Sequence, residues 1–248
     1  MKIIGVIPAR YGSTRLEGKP LKPILGKPLL EWVIDGAKKS LKINELLVAT
    51  DDERIAKLSE KCGVKAVMTD SSLPTGSDRI WAAIKSVDCD VVINIQGDEP
   101  LLTGLELDAL AGAFTDKSIE MATLARPLKN DEELNNPTVA KIVLGQNNNA
   151  LYFSRFPIPH SRIPGNLDAY ACLKHIGFYG YTKEFLGRFC KQKPVALELA
   201  EGLEQLRALW LGATIRVILT QYDSWGVDTP EDVIRVEEIL KTRKGSTR

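Results

Sequence analysis

The sequence predicts an α/β fold, a mostly parallel sheet covered by helices on both faces. Three observations predict it. Short apolar runs alternate with amphipathic segments through the first half of the chain. The runs are apolar at successive positions rather than at every second one, as strands buried on both faces read. Pro, Gly and Asp stand at the joints between segments.

Lys2–Ile7 (KIIGVI) is an unbroken apolar run that ends at Pro8, and it reads as the first strand. Pro28–Ser40 carries Leu29, Leu30, Val33, Ile34 and Ala37 at helical spacings, with proline in the first turn and lysines near the end. Glu45–Thr50 (ELLVAT) is the second strand. Asp52–Cys62 is a polar amphipathic helix that Gly63 can stop. Val64–Met68 is a short strand, Ser77–Val87 a helix, and Asp90–Ile95 (DVVINI) a further buried strand. Right-handed crossovers put the strand C-terminal ends on one edge, and ligands bind at that edge in such sheets. The loops to read for function are therefore PARYGSTRLEGKP, DDER and QGDEP, which follow Ile7, Thr50 and Ile95.

The second half is less regular. Met121–Ala125, Val139–Leu144, Ala150–Ser154, Lys174–Tyr181 and Thr214–Leu219 read as strands. Gly145–Asn149 (GQNNN) reads as the turn of a hairpin, because Asn and Gly tolerate positive φ. Leu203–Leu211 and Pro230–Thr242 read as helices, with Thr229 an N-cap. No repeat or linker divides the chain, so its 248 residues read as one domain, 1–248.

Composition removes several function classes. Lys plus Arg is 33 against 32 Asp plus Glu, a net charge of +1, which lacks the basic excess of a nucleic-acid binder. With 44% hydrophobic residues the chain folds on a core of its own. The four cysteines make no C-x-x-C pair and read as buried structural thiols, while Trp81 and Trp210 read as core. Only two histidines are present, so any metal must be a hard cation held by carboxylates. No apolar run approaches the roughly 18–20 residues that span a bilayer, and the N-terminus does not read as a signal peptide. A cytoplasmic protein with neither membrane nor nucleic-acid partner is expected.

The first loop carries the strongest chemistry. Arg10, Arg15 and Lys19 are interleaved with Gly12, Ser13, Thr14 and Gly18. Glycines let backbone N–H groups approach phosphate oxygens, and Arg and Lys neutralise them. The pattern is neither a P-loop, because Pro20 follows Lys19, nor G-x-G-x-x-G. Asp98 and Glu99 follow a buried strand, where a magnesium ion bridging nucleotide phosphates would sit. His175 stands among aromatic residues and reads most simply as core. Arg155 is either a carboxylate clamp or a surface arginine, and Asp228 a helix N-terminal residue.

The stretches IPARYGSTRLEGKPL (7–21), ATDDERI (49–55), TGSDRI (75–80), NIQGDEP (94–100) and MATLA (121–125) go further when taken in order. With ALYFSRFPIP (150–159), KHIGFYGY (174–181), EGLEQLRALWLG (201–212) and GVDTPEDV (226–233), the chain resembles the 3-deoxy-manno-octulosonate (Kdo) cytidylyltransferase family along nearly its whole length. TGSDR stands where many members have SGTER, a conservative change. The resemblance implies a GT-A-like, Rossmann-related nucleotidyltransferase, magnesium dependence and a homodimer. A β-rich subregion at about 126–212 would bind sugar and form the dimer contact. The implied reaction moves CMP from CTP to the anomeric hydroxyl of Kdo, releases diphosphate, and activates Kdo for lipopolysaccharide synthesis.

By that resemblance Arg10 and Lys19 are phosphate-binding cations, and Asp98 and Asp228 hold two magnesium ions; these four are the catalytic set. Pro8, Ala9, Arg15, Thr75, Gly76, Ser77, Arg79 and Gln96 complete the nucleotide side. Gln96, Tyr152, Arg155, His175, Tyr179, Glu204 and Gln205 match the sugar side. His175 is expected to contact sugar and not to act as the base, since magnesium makes the attacking hydroxyl acidic. Rival readings are a cytidylyltransferase for sialic acid or 8-amino-Kdo and a non-catalytic nucleotide-sugar binding module. GLEQLR and HIGFYGY favour Kdo over sialic acid, and the presence of all four catalytic residues argues against the module.

Overall fold

The computed structural model describes residues 1–12, 16–162 and 172–245. The chain forms two compact units, Met1–Asp108 with Ser224–Arg248, and Ala109–Asp223. The expected sugar-side segment at 126–212 falls inside the second unit.

The first unit holds β1 (Ile3–Ala9), the short ribbon β2 (Pro23–Ile24) and β3 (Lys27–Pro28), and α1 (Leu29–Ala37). β4 (Glu45–Thr50), α2 (Glu53–Lys61), β5 (Lys65–Met68), α3 (Gly76–Ile84) and β6 (Val91–Asn94) follow. α4 (Gly104–Ala113) runs out of this unit. In the second unit lie β7 (Met121–Pro127), α5 (Asp131–Asn135), β8 (Lys141–Leu144), β9 (Ala150–Ser154), β10 (Cys172–Thr182), α6 (Lys183–Lys191), α7 (Ala196–Glu201), α8 (Gln205–Trp210) and β11 (Ile215–Leu219). α9 (Pro230–Gly245) returns to the first.

In the first unit, β6, β1, β4 and β5 lie side by side in that order, all parallel. Ile4, Val6, Ile7, Val48, Val92 and Ile93 are fully buried, which is why these strands read as continuous apolar runs. α1 buries Leu29, Leu30, Val33, Ile34 and Ala37, the positions its spacing marked. It passes so close to the loop between β6 and α4 that a Cβ on Gly36 would stand 2.3 Å from the Leu102 carbonyl oxygen. Side chains cap helices of this unit: Asp52 accepts from Arg54 N–H at the start of α2, Thr75 from Asp78 N–H at the start of α3, and Thr229 from Asp232 N–H at the start of α9. An apolar cluster of Ile24, Leu29, Leu101, Val227, Val236 and Leu240 ties the C-terminal helix to this unit. That cluster delivers the 224–228 segment to the sheet edge.

In the second unit, β11 runs parallel to β7, and β10 pairs antiparallel with both β7 and β8, which itself pairs with β9. The pairing of β10 with β7 slips between Ile176 and Tyr179, a β-bulge.

Several expectations need correcting. Trp210 is exposed rather than core. Of the four cysteines only Cys172 is buried, the other three being partly exposed. The sequence pattern does not mark α4, α5, α6 or α7. Apolar residues are spread around α4 (GLELDALAGA) instead of forming one stripe, so periodicity does not mark it.

Candidate functional site

β4 lies on one side of β1 and β6 on the other, so the strand order reverses at β1. Such a reversal opens a crevice beyond the strand C-terminal ends. A pocket of about 340 Å³ lies there. Pro8, Ala9, Arg10, Lys19 and Pro20 line it from the first loop, and Leu73, Pro74, Thr75, Gly76 and Arg79 from the entry to α3. Gln96, Gly97 and Asp98 line it from the end of β6, and Asp228 from the 224–228 segment. Ten of the expected nucleotide-side, catalytic and metal residues thus share one pocket: Pro8, Ala9, Arg10, Lys19, Thr75, Gly76, Arg79, Gln96, Asp98 and Asp228. Ser77 is buried on α3 and is not on the lining. Arg15 lies outside the described residues.

The first loop closes on itself before Lys19. Gly18 N–H donates to the Tyr11 carbonyl at 3.1 Å. Gly18 has φ of +64°, and a Cβ there would stand 3.0 Å from the Tyr11 ring, so the position takes only glycine without strain. The chain then turns once through Lys19–Leu21. The Lys19 ammonium donates to Asp98 Oδ2 at 2.8 Å and to Asp228 Oδ1 at 3.0 Å. Burial alone would lower the Lys19 pKa; Asp98, and then Asp228, more than offset it and hold the amine above its ordinary value.

Asp98 and Asp228 meet because Glu99 holds the second beside the first. Buried Glu99 accepts from Ser224 Oγ–H and, at 3.0 Å, from Trp225 N–H. Val227 N–H donates to the Asp98 carbonyl at 2.9 Å, and Asp228 N–H to Asp232 at 3.0 Å. Sequence alone marked Glu99 only as the second acid of a pair. Its role requires the contact with a segment more than a hundred residues away.

The two carboxylates already converge on one cation, the Lys19 ammonium. Hard oxygen donors so arranged fit magnesium, which takes one or two carboxylates and completes its shell with phosphate and water. Among the described residues no group of three or more His, Cys, Asp or Glu converges, so no all-protein cage for another metal is offered.

Arg79 lines the pocket, but its guanidinium is committed elsewhere. It donates to Asp51 Oδ2 at 3.0 Å and to Thr69 Oγ1 at 2.6 Å.

In the second unit the β10 bulge brings the His175 and Tyr179 rings within 5.4 Å. Thr123, which the sequence reading missed, pins the bulge. Its hydroxyl lies 2.8 Å from the Phe178 carbonyl, 3.3 Å from the Ile176 carbonyl and 2.9 Å from His175 Nε2. A hydroxyl has one proton, and a carbonyl can only accept, so Thr123 donates to a carbonyl and accepts from His175 Nε2–H. Burial holds the His175 pKa down to about 3, so the ring is neutral at physiological pH, with Nδ1 an acceptor.

Burial, aided by the Glu204 charge, pushes the Tyr179 phenol up, and its O–H donates to Gln205 Oε1 at 3.2 Å. Gln205 is buried and its Nε2 has no hydrogen-bond partner among the described residues. An idle buried amide donor costs about 1–3 kcal/mol, so such a group marks a place for a ligand oxygen. Arg155 donates to the carbonyls of Glu201 at 2.7 Å, Pro137 at 3.0 Å and Gly202 at 3.1 Å. Tyr152 is half-buried on β9, and Glu204 stands at the entry to α8. Gln96 belongs to the pocket of the first unit and these other six residues to the second.

Residues 4–215 match the family model described as cytidylyltransferase. A protein of Bdellovibrio bacteriovorus named 3-deoxy-manno-octulosonate cytidylyltransferase is 55% identical, over 98% of this chain and 99% of its own. One of the same name from Geobacter metallireducens is 42% identical, over 97% and 98%. The solved structure of CMP:2-keto-3-deoxy-manno-octonic acid synthetase complexed with CTP superposes with a TM-score of 0.92 at 36% identity, covering 98% of this chain and all of that one.

Proposed function

The chain belongs to the cytidylyltransferase family, among the 3-deoxy-manno-octulosonate enzymes, and we propose that it transfers CMP from CTP to the anomeric hydroxyl of Kdo with release of diphosphate. The observation that carries this reading is the convergence of Arg10, Lys19, Asp98 and Asp228 on one pocket beyond β1 and β6.

In the reaction the anomeric hydroxyl loses its proton to solvent as its oxygen forms a bond to the α-phosphorus, the bond from that phosphorus to the bridging oxygen breaks, and diphosphate leaves with the electron pair. Charge builds on phosphoryl oxygens, so positioning and electrostatics supply most of the catalysis. Arg10 and Lys19 neutralise the triphosphate. Backbone groups around Pro8, Ala9, Thr75 and Gly76 read the cytosine edge. Asp98 and Asp228 would hold magnesium, which would supply charge to shield the triphosphate and to make the attacking hydroxyl more acidic. The neutral His175 ring offers Nδ1, and Gln205 its idle Nε2–H, to sugar hydroxyls. His175 is therefore a sugar contact and not the base.

The reading extends to a homodimer formed through the second unit, where Leu197, Leu199 and Trp210 are exposed apolar side chains of the kind a partner covers. It also assigns the enzyme to the cytoplasm, making the activated donor for lipopolysaccharide synthesis. Among the described residues no helix is long and apolar enough to cross a membrane.

The test is diphosphate release with each component omitted in turn. Release needs CTP, magnesium and Kdo together, and sialic acid in place of Kdo gives little. Equal rates with both sugars overturn the substrate assignment. Light scattering at micromolar concentration checks the dimer, which a single 27.4 kDa species contradicts.

A further inference from the structure

The DDER segment after β4 has no part in the chemistry just described, yet two of its side chains contact Tyr11 and a third holds one of those two. The register explains why. β1 and β4 are parallel neighbours with Ala9 opposite Thr50, so the residues that follow each strand emerge side by side.

Asp51 Oδ1 accepts from Tyr11 N–H at 3.1 Å, and its other oxygen from Arg79 Nη2 at 3.0 Å. Arg79 is in turn fixed by Thr69 Oγ1, which itself donates to the Thr50 carbonyl at 3.1 Å. The Arg54 guanidinium lies 3.7 Å from the centroid of the Tyr11 ring. Asp52 aligns that guanidinium, accepting from Nε at 3.0 Å and Nη2 at 2.7 Å. Tyr11 is thus gripped by its backbone and by its ring. Its carbonyl takes the Gly18 N–H, its ring fills the space that a side chain at Gly18 would need, and Lys19 comes next.

We propose that Asp51 and Arg54 are positioning residues for nucleotide binding, acting through Tyr11 to set the loop that presents Lys19. The inference rests on the reading of the pocket as the CTP site. Asp51 ties the loop to Arg79 on α3, so two walls of the pocket are held in register by one carboxylate. Arg54 adds a stack of a planar cation on the aromatic face. A merely structural role would lower stability and leave the two substrates equally affected. A positioning role on this loop weakens CTP and spares Kdo.

CTP binding is measured by calorimetry without the sugar, so that nothing turns over, alongside steady-state kinetics and melting. Arg54→Ala weakens CTP by about threefold to fivefold, the worth of one exposed cation–π contact. Its melting temperature stays at the wild-type value, because Arg54 is 57% exposed. Asp51→Asn weakens CTP by about tenfold or more, the loss of a charge-assisted bond, and leaves the KM for Kdo unchanged. Arg54→Ala adds nothing to Tyr11→Ala, since the ring it acts on is gone. Should Asp51→Asn fail to fold, the Arg54–Tyr11 cycle decides the matter. Wild-type CTP affinity in Arg54→Ala, effects that multiply in the double variant, or an equal rise in both KM values overturns the inference alone. Absence of CTP binding by the wild type overturns the reading of the pocket and this inference with it.

Discussion

The Lys19 ammonium stands 2.8 Å from Asp98 Oδ2, joining the first loop to the end of β6 across 79 positions of sequence. The same nitrogen reaches Asp228, so one cation of the chain holds two acids of the pocket together. Both acids and the lysine should therefore respond to substitution in distinguishable ways.

Asp98→Asn removes one charge and keeps the shape. The amide oxygen still accepts from Lys19, so the fold and its melting temperature should hold. Turnover should fall by about a hundredfold or more, since charge at the reacting phosphate supplies the largest catalytic effects. Steady-state kinetics across a magnesium titration check this, and wild-type turnover at ordinary magnesium would show that Asp98 has been misassigned.

Lys19→Ala should lower kcat/KM for CTP by about 10- to 150-fold, the loss of one charge-assisted contact. The KM for Kdo should change much less. Varying each substrate in turn separates the two. A raised KM for Kdo beside unchanged CTP kinetics would contradict the phosphate-binding role of the loop.

His175→Ala should raise the KM for Kdo by about tenfold to a hundredfold, one or two polar contacts, and leave CTP affinity alone. Because His175 is neutral in the folded chain, the wild-type rate profile should show no ionisation near 6.5 that the variant lacks. A loss of several decades in kcat at saturating Kdo, together with the disappearance of such an ionisation, would make His175 the base.

The same residue has a consequence for stability. An unfolded chain protonates His175 below about 6.5, whereas the native ring stays neutral down to about 3. Between those values the unfolded state binds the extra proton, so stability rises with pH in that window. The contribution is whole above about 6.5 and drains away as the pH falls toward 3. The gap in melting temperature between wild type and His175→Asn should accordingly narrow from pH 7.5 to pH 5. A gap that widens on acidification would mean that the native ring takes up the proton.

Thr123→Val keeps the shape of the side chain and strips the hydroxyl that joins His175 to the bulge. It should cost about 1–3 kcal/mol of stability, the range for leaving buried polar groups unpaired, and raise the KM for Kdo. Urea unfolding measures the first effect. A cost under about 0.5 kcal/mol, typical of surface changes, would mean that the hydroxyl does not pin β10.

What the sequence revealed follows from what is local in it. β4 and β9 have the predicted bounds because their apolar runs are broken sharply, by Asp51 after one and by a turn before the other. Arg10, Lys19 and Asp98 were legible because each directly follows a strand or lies on the loop leaving one. Asp51 was not. Its partner Tyr11 is its neighbour only through the pairing of Ala9 with Thr50, which no spacing along the chain encodes. Thr123 was hidden for a similar reason: its hydroxyl matters only where β10 bulges against it. Trp210 reads as core because its helix is apolar around it, but a helix of six residues is too short for periodicity to say which side faces out: Leu206 and Ala208 are buried and Trp210 is exposed.

The most direct test of the account is phosphorus NMR of a mixture of CTP, Kdo, magnesium and the enzyme. The three CTP resonances should fade together as diphosphate and one phosphodiester resonance grow in equal amounts, and omission of Kdo should leave CTP intact. Unchanged CTP in the complete mixture, or its loss to free CMP with no phosphodiester formed, would contradict transfer of CMP to the sugar.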